Sequence, residues 1–235
     1  MSFILDLFLI FIFLVCVYTG FKRGFIRSIM SVVVVVIAIL GSIKLTPMLS
    51  GYLNEKFVSP VVNDKVEASI TSLIEEVDSI DITKLLEDKP KALIDLLDKF
   101  GVSYEEVNDF FNEKAESSQN PEKEVSEYIS SSLSETISNA VAFAILFIVL
   151  SLVLTLIMLA VNTVVKLPVL NGLNKGLGLI LGILKGALYA WGLSLVFINL
   201  FPHLAVIYEG QIPPTLIDDT VIVKLLGAVS ISSLF

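Results

Sequence analysis

The chain has 235 residues, enough for one or two domains. Of these, 55% are hydrophobic and only 17% are charged, and the mean hydropathy of +0.85 is more than a water-exposed surface can carry, which excludes a soluble globule. The net charge of −8, from 16 Lys and Arg against 24 Asp and Glu, argues against a nucleic-acid partner, and one Cys with one His leaves no disulfide framework or multi-ligand Cys/His metal site.

A bilayer core about 30 Å thick takes about 20 apolar helical residues, and four runs near that length occur. The first is Ser2–Phe21, uncharged apart from Asp6. A cleaved signal peptide would carry basic residues ahead of its apolar run; here Lys22, Arg23 and Arg27 follow it, so the run is expected to stay as a span. The second, about Ile29–Leu49, has a VVVVV core and one charge, Lys44. Residues 52–136 then change character, holding 20 of the 24 acids and 8 of the 16 basic residues, a local net of −12. Their punctuation is helical. Val62, Val66, Ile70, Leu73, Ile74 and Val77 recur at helical spacing; Pro90 and Gly101 bracket a short run; Ser103 with Glu106 has capping-box spacing ahead of a run ending near Glu116; and Pro121 starts a helix expected to continue into span three. ESSQNPEKE reads as a joint between these elements. The third span, Val141–Val161, is uncharged. The fourth, about Gly176–Phe201, contains Lys185. Its 14 large aliphatic or Phe side chains contribute about −0.3 to −0.6 kcal/mol each, against about +2.5 to +3.5 for one central Lys, so insertion wins.

The expected fold is therefore an all-α, multi-pass membrane bundle with an acidic helical insert. Residues 1–51 supply spans one and two, 52–136 the insert, 137–201 spans three and four, and 202–235 a tail. In that tail TVIVKLLGAVSISSLF is expected as an interfacial helix capped by Asp218 or Asp219, with a fifth crossing as the rival. Basic residues near the spans favour the cytoplasm. Lys22, Arg23 and Arg27 in the first turn and Lys166 and Lys175 in the other short turn place both turns there, with both termini and the insert outside.

Polar residues inside the spans are the functional candidates. Asp6 is close enough to the outer boundary to be an anchor, with an ion-pair or proton-linked role as the alternative; Lys44, at similar depth, is a candidate partner. Lys185 lies near mid-membrane and should face the bundle interior or a wet cavity, in a fold-stabilising or a transporting role. Gly178, Gly182 and Gly186, extended back to Asn174 at the same four-residue step, form a stripe without side-chain bulk that admits another helix closely. Another span of this chain is the favoured occupant and a second copy the alternative. Gly20 and Gly24 repeat the spacing at the first turn. GLGLILG lacks the G-x-G-x-x-G spacing of a nucleotide loop. His203 has no triad motif, Cys16 sits in span one as a small apolar residue, and the acid pairs read as solvated faces. No catalytic, cofactor or metal residues are assigned. The expected surroundings are the lipid bilayer and an extracytoplasmic protein partner for the insert.

Asp6, the turn RGFIR (Arg23 to Arg27) and the stretch LPVLNGLNKGLGLILGILKGAL (Leu167 to Leu188) resemble the colicin V production protein (CvpA) family. The matching positions are Arg23 and Gly24, then Lys175, Gly178, Gly182, Lys185 and Gly186. The resemblance covers about 130 residues, leaving out the insert. Two positions depart from the family pattern: Asn174 stands where an acid is expected beside Lys175, weakening a salt bridge there, and Lys185 stands where an Arg is expected and cannot form its bidentate fork. The resemblance implies a non-enzymatic protein of the bacterial cytoplasmic membrane, tied to colicin V production or secretion, or to cell-envelope homeostasis. A small channel or transporter subunit with Lys185 and Asp6 in its pathway, joined by Asn162 or Asn199, is the alternative.

Overall fold

The computed structural model describes residues 2–76, 91–100, 102–114, 121–164, 173–207 and 220–223, and every regular element among them is a helix. These are α1 (Ser2–Arg23), α2 (Phe25–Leu53), a π-helical turn (Asn54–Val58), α3 (Ser59–Glu76), α4 (Lys91–Phe100), α5 (Tyr104–Lys114), α6 (Pro121–Val164) and α7 (Leu173–Ile207). Four stretches are long and apolar enough to cross a membrane: Phe3–Arg23, Phe25–Ser72, Lys123–Ala160 and Asn174–Ala205. Expectations for Val77, Pro90, Gly101, Glu116, Lys166, Asp218, Asp219 and the chain beyond 223 lie outside the described residues, as do residues 116–120 of the expected joint, whose last four residues, 121–124, are instead the start of α6.

The chain divides into two compact units, one formed by Met1–Met48, Ala140–Ile198 and Thr215–Phe235, the other by Leu49–Asn139 and Asn199–Pro214. The segment expected as one tail is thus shared between them, because α7 runs on past Phe201 to Ile207. In the first unit each helical segment is 22 to 26 residues long, about 33 to 39 Å at 1.5 Å per residue, which suits a hydrocarbon core of about 30 Å.

This unit carries large apolar side chains on its outside and buries several hydroxyls within an otherwise apolar interior. Phe3, Phe11, Tyr18, Leu40, Ile148, Leu152, Leu156 and Ile180 are exposed, whereas Ser28, Ser31, Ser42, Thr46, Ser151 and Ser194 are buried. Water would favour the reverse; lipid stabilises this arrangement, because small and hydroxylated residues let helices approach while large apolar side chains meet acyl chains. Several of these hydroxyls donate back along their own helix, Ser42 Oγ to the Ala38 carbonyl at 2.6 Å and Thr46 Oγ1 to the Ser42 carbonyl at 2.7 Å. Gly41 of α2 lies against Leu150 of α6, and Gly192 of α7 against the ring of Phe147 of α6. Leu9, Ala190 and Val223 are buried together, with Leu193, Phe197, Ile198 and Ile222 packed around them.

The second unit follows the soluble rule. Val62, Val66 and Ile70 on α3, Leu93 and Leu97 on α4, Val107 and Phe111 on α5, and Val125, Ile129, Leu133 and Ile137 on α6 are buried. Phe110 of α5 stacks on Tyr128 of α6 at 4.3 Å between ring centroids. Span two runs into the insert without a break: the helix passes Pro47 and continues through the π turn into α3. Pro60 cannot donate to the Lys56 carbonyl and crowds it; the Ser59 N–H instead reaches back to the Asn54 carbonyl, which widens the ladder by one residue. At Ser103 one local expectation is corrected: the hydroxyl donates to Glu105 Oε2 at 2.8 Å in place of the reciprocal Ser103–Glu106 pairing, while the Ser103 carbonyl accepts the Val107 N–H as the first bond of α5.

Candidate functional site

The α1–α2 turn is one residue long. Gly24 has φ +78°, its N–H closes onto the Gly20 carbonyl, and its own carbonyl already accepts the Ser28 N–H of α2. A left-handed residue of this kind ends a helix. The first N–H groups of α2 have no partner within their helix, and Asn174 Oδ1 of α7 accepts that of Phe25 at 2.7 Å. The residue read as weakening a salt bridge thus acts as a neutral acceptor, tying the start of one helix to another across 149 positions of sequence. Arg23 is half-buried, whereas Lys22, Arg27 and Lys175 are exposed.

From this turn α1 and α7 run antiparallel in close contact. Gly178 lies against Gly20 and Gly24, Gly182 against Cys16 and Val17, and Gly186 against Phe13 and Cys16. A Cβ on Gly20 would stand 2.5 Å from the Gly178 carbonyl oxygen and 2.6 Å from the Gly182 Cα. The glycine face is occupied by α1 of the same chain, so a second copy would need another surface.

At the opposite end of α1 the Asp6 carboxylate accepts the N–H of Ile222 on Oδ1 at 3.0 Å and that of Val221 on Oδ2 at 3.2 Å. Thr220 and Val223 are fully buried. The candidate pairing of Asp6 with Lys44 does not form: Lys44 is exposed on α2, and Asp6 spends both oxygens on backbone amides that begin a helical turn. The sequence offered no signal for a contact spanning 216 positions, beyond the cost of a carboxylate in an apolar run.

Lys185 stands midway between Leu173 and Ile198. Gly178, Lys185 and Gly192 recur every seven residues, which brings them to nearly one face of α7. Gly178 meets α1 and Gly192 meets α6, so Lys185 springs from the wedge between those two helices. Its ammonium lies 5.6 Å from the centre of the Tyr189 ring, a cation–π distance. The Tyr189 hydroxyl lies beside Ser151 and Thr155 of α6, and Cys16 and Arg23 of α1 are near enough for electrostatic contact with Lys185. Ser151 Oγ is buried against the Tyr189 hydroxyl, whereas Trp191 Nε1 in this unit and Asn54 Oδ1, Ser138 Oγ and His203 Nδ1 in the other are buried with no hydrogen-bond partner. Of the two asparagines considered for a pathway, Asn199 is half-buried and falls in the second unit, while the side chain of Asn162 lies outside the described ones. The sequence pointed to Lys185 but not to Ser151 or Tyr189, which look like ordinary members of a span until α6 and α7 are brought together.

The family model described as Colicin V production protein matches residues 5–74 and 107–229. No curated protein matches the chain, and no solved structure does.

Proposed function

The chain is a member of the colicin V production protein family, and we propose that it is a non-enzymatic protein of the bacterial cytoplasmic membrane that supports export of a peptide toxin or upkeep of the cell envelope. The supporting observation is the lipid-type surface of the first unit, with large apolar side chains outside and several hydroxyls buried within, carried on four helices of membrane-spanning length. In this reading the Gly24 turn and Lys175 face the cytoplasm, with the termini and the acidic insert outside, as the basic residues beside the short turns favour. The insert then presents its net negative surface to an extracytoplasmic protein partner.

The test has two arms. After Cys16→Ser, single cysteines at exposed insert positions such as Glu105 or Glu113 should react with an impermeant thiol reagent added to intact cells, and one at Ser28 should not; the opposite pattern overturns the orientation. A deletion strain should lose toxin release or become sensitive to envelope stress, and recover with the full chain. Normal behaviour in both assays overturns the role.

One observation favours a second reading, a small channel or transporter subunit: Lys185, near the middle of its span, lies over the ring of Tyr189, whose hydroxyl neighbours Ser151 and Thr155 of another helix. Asp6 is engaged elsewhere, so a pathway would be marked by Lys185 alone. Solute flux in liposomes that Lys185→Leu removes with the fold intact would favour this reading; unchanged flux would count against it.

A further inference from the structure

We infer that Tyr52, Lys56 and Phe57, where span two gives way to the insert, form a seat for the phosphodiester headgroups of the adjoining lipid leaflet. The first observation is an exception within the second unit, which otherwise keeps its large apolar side chains inside. Among the described residues of that unit, Tyr52, Phe57 and Val61 are the large apolar side chains left exposed, at 55%, 57% and 47%. They share one face: the Tyr52 and Phe57 rings meet edge to face with centroids 6.3 Å apart, and Val61 follows one helical turn later. This face continues an exposed apolar stripe that runs through Leu45 and Met48 of α2. It then stops, because beyond Val61 the exposed residues of α3 are polar, beginning with Asn63, Asp64, Lys65 and Glu67.

The second observation is chemical. Lys56 Nζ donates to the Tyr52 hydroxyl oxygen at 3.1 Å and stands 5.4 Å from the centre of its ring. Although residues 52–136 hold 20 of the 24 acids, no described carboxylate pairs with Lys56. The ammonium keeps two N–H groups and the Tyr52 hydroxyl keeps its O–H; three donors around one positive charge suit the oxygens of a phosphodiester. Aromatic rings beside a Lys are what the headgroup layer selects, since that layer is apolar on one side and wet on the other. Depth agrees. This helix leaves the membrane-spanning unit at Met48, and Tyr52 lies four residues further, about 6 Å, within an interfacial layer about 5–7 Å deep. Phe57 starts higher, but side chains lean toward the N-terminal end of their helix, here back toward the bilayer, and its ring reaches Tyr52. The seat is independent of which side of the membrane the insert occupies, and of any role in export, envelope upkeep or transport.

The test uses the full chain in nanodiscs of phosphatidylcholine and phosphatidylglycerol, one copy per disc. Phe57→Trp supplies a reporter, read as the difference from the native chain, in which Trp191 is the single Trp. The added emission is expected to fall when the acyl chains are brominated near the headgroup, and to resist aqueous iodide. Lys56→Glu in the same background should lose the bromolipid quenching and gain iodide quenching, because an acid in place of the ammonium is repelled by the headgroups. Quenching by iodide alone with Lys56 intact overturns the seat. Resistance to both quenchers overturns it in favour of a cover made of protein, and equal bromolipid quenching with and without Lys56→Glu overturns the phosphate contact. Should Phe57→Trp fail to fold, Tyr52→Trp, which keeps a ring in place, is read in the same way.

Discussion

Gly24→Ala offers a sharp test of how the α1–α2 turn is locked to α7. The backbone there has φ +78°, where an L side chain costs about 1–2 kcal/mol. The added Cβ would also fall 2.9 Å from Cγ and 3.1 Å from Oδ1 of Asn174, the side chain whose oxygen holds the Phe25 N–H. Moving it aside forfeits that bond, a further 0.5–1.5 kcal/mol or so. The total is about 1.5–3.5 kcal/mol, to be read as equilibrium unfolding in mixed micelles by Trp191 fluorescence. In an Asn174→Ala background the clash and the bond are both gone, and Gly24→Ala should then cost only its backbone share. The coupling between the two substitutions should be about 0.5–1.5 kcal/mol. Equal costs in the two backgrounds would refute the role given to Asn174, and no cost in either would refute the left-handed turn.

On the glycine stripe, Gly182→Leu should unfold or misassemble the protein, because its Cβ would stand 2.8 Å from the Cys16 carbonyl oxygen; Gly176→Ala, with nothing within 4 Å, should be neutral or stabilise by up to about 1 kcal/mol, both measured by the same unfolding assay. Asp6→Ala should raise hydrogen exchange at Val221 and Ile222 while Asp6→Glu partly preserves protection, and unchanged exchange in Asp6→Ala would remove Asp6 from its capping role. Leu133→Ala, at a fully buried position of α6, should cost about 2–5 kcal/mol, whereas Leu152→Ala on the same helix, 60% exposed, should cost little in nanodiscs. Leu152→Asp should instead impair membrane insertion, read as loss from the membrane fraction, since a central Asp costs about 2.5–3.5 kcal/mol.

The elements that the sequence made legible are those written in composition and period. Four apolar runs became four helices because the hydrocarbon thickness fixes their length and lipid leaves the backbone no other partner than itself. Val62, Val66 and Ile70 were readable as a buried face because a 3.6-residue period shows which side of α3 needs covering. What could not be read was tertiary. Asn174 looked like a missing acid, and only the approach of α7 to the Gly24 turn reveals what its oxygen accepts. The Asp6 contact with Val221 and Ile222 depends on where a distant segment returns, which no local pattern records. At Ser103 the partner of the side chain was one residue nearer than the spacing suggested, since its hydroxyl donates to Glu105 and Glu106 is not engaged with it.

The long helix α6 carries the physical distinction between the two units within one unbroken element. Its 44 residues extend about 66 Å, more than twice a hydrocarbon core. From Val125 to Ile137 its large apolar residues recur every four positions and are buried, while Lys123, Glu127, Ser131 and Glu135 are exposed. From Ile145 to Leu159 most of the large aliphatic residues are exposed, among them Ile145, Ile148, Leu152, Leu156 and Ile157, while Phe147, Ser151 and Met158 are buried. Nothing in the backbone changes between these stretches, so the reversal reports a change of solvent. Water around the first stretch drives its Val, Ile and Leu inward; lipid around the second removes that drive and leaves packing and polar satisfaction to decide what lies inside. The reversal falls close to Ala140, where the compact units divide. A charged group shows the difference most plainly: Glu127 is an exposed member of an i,i+4 pair with Lys123, worth little in water, whereas the described residues of α6 from Ala140 to Ala160 hold no charge at all, because lipid gives a charge no solvent.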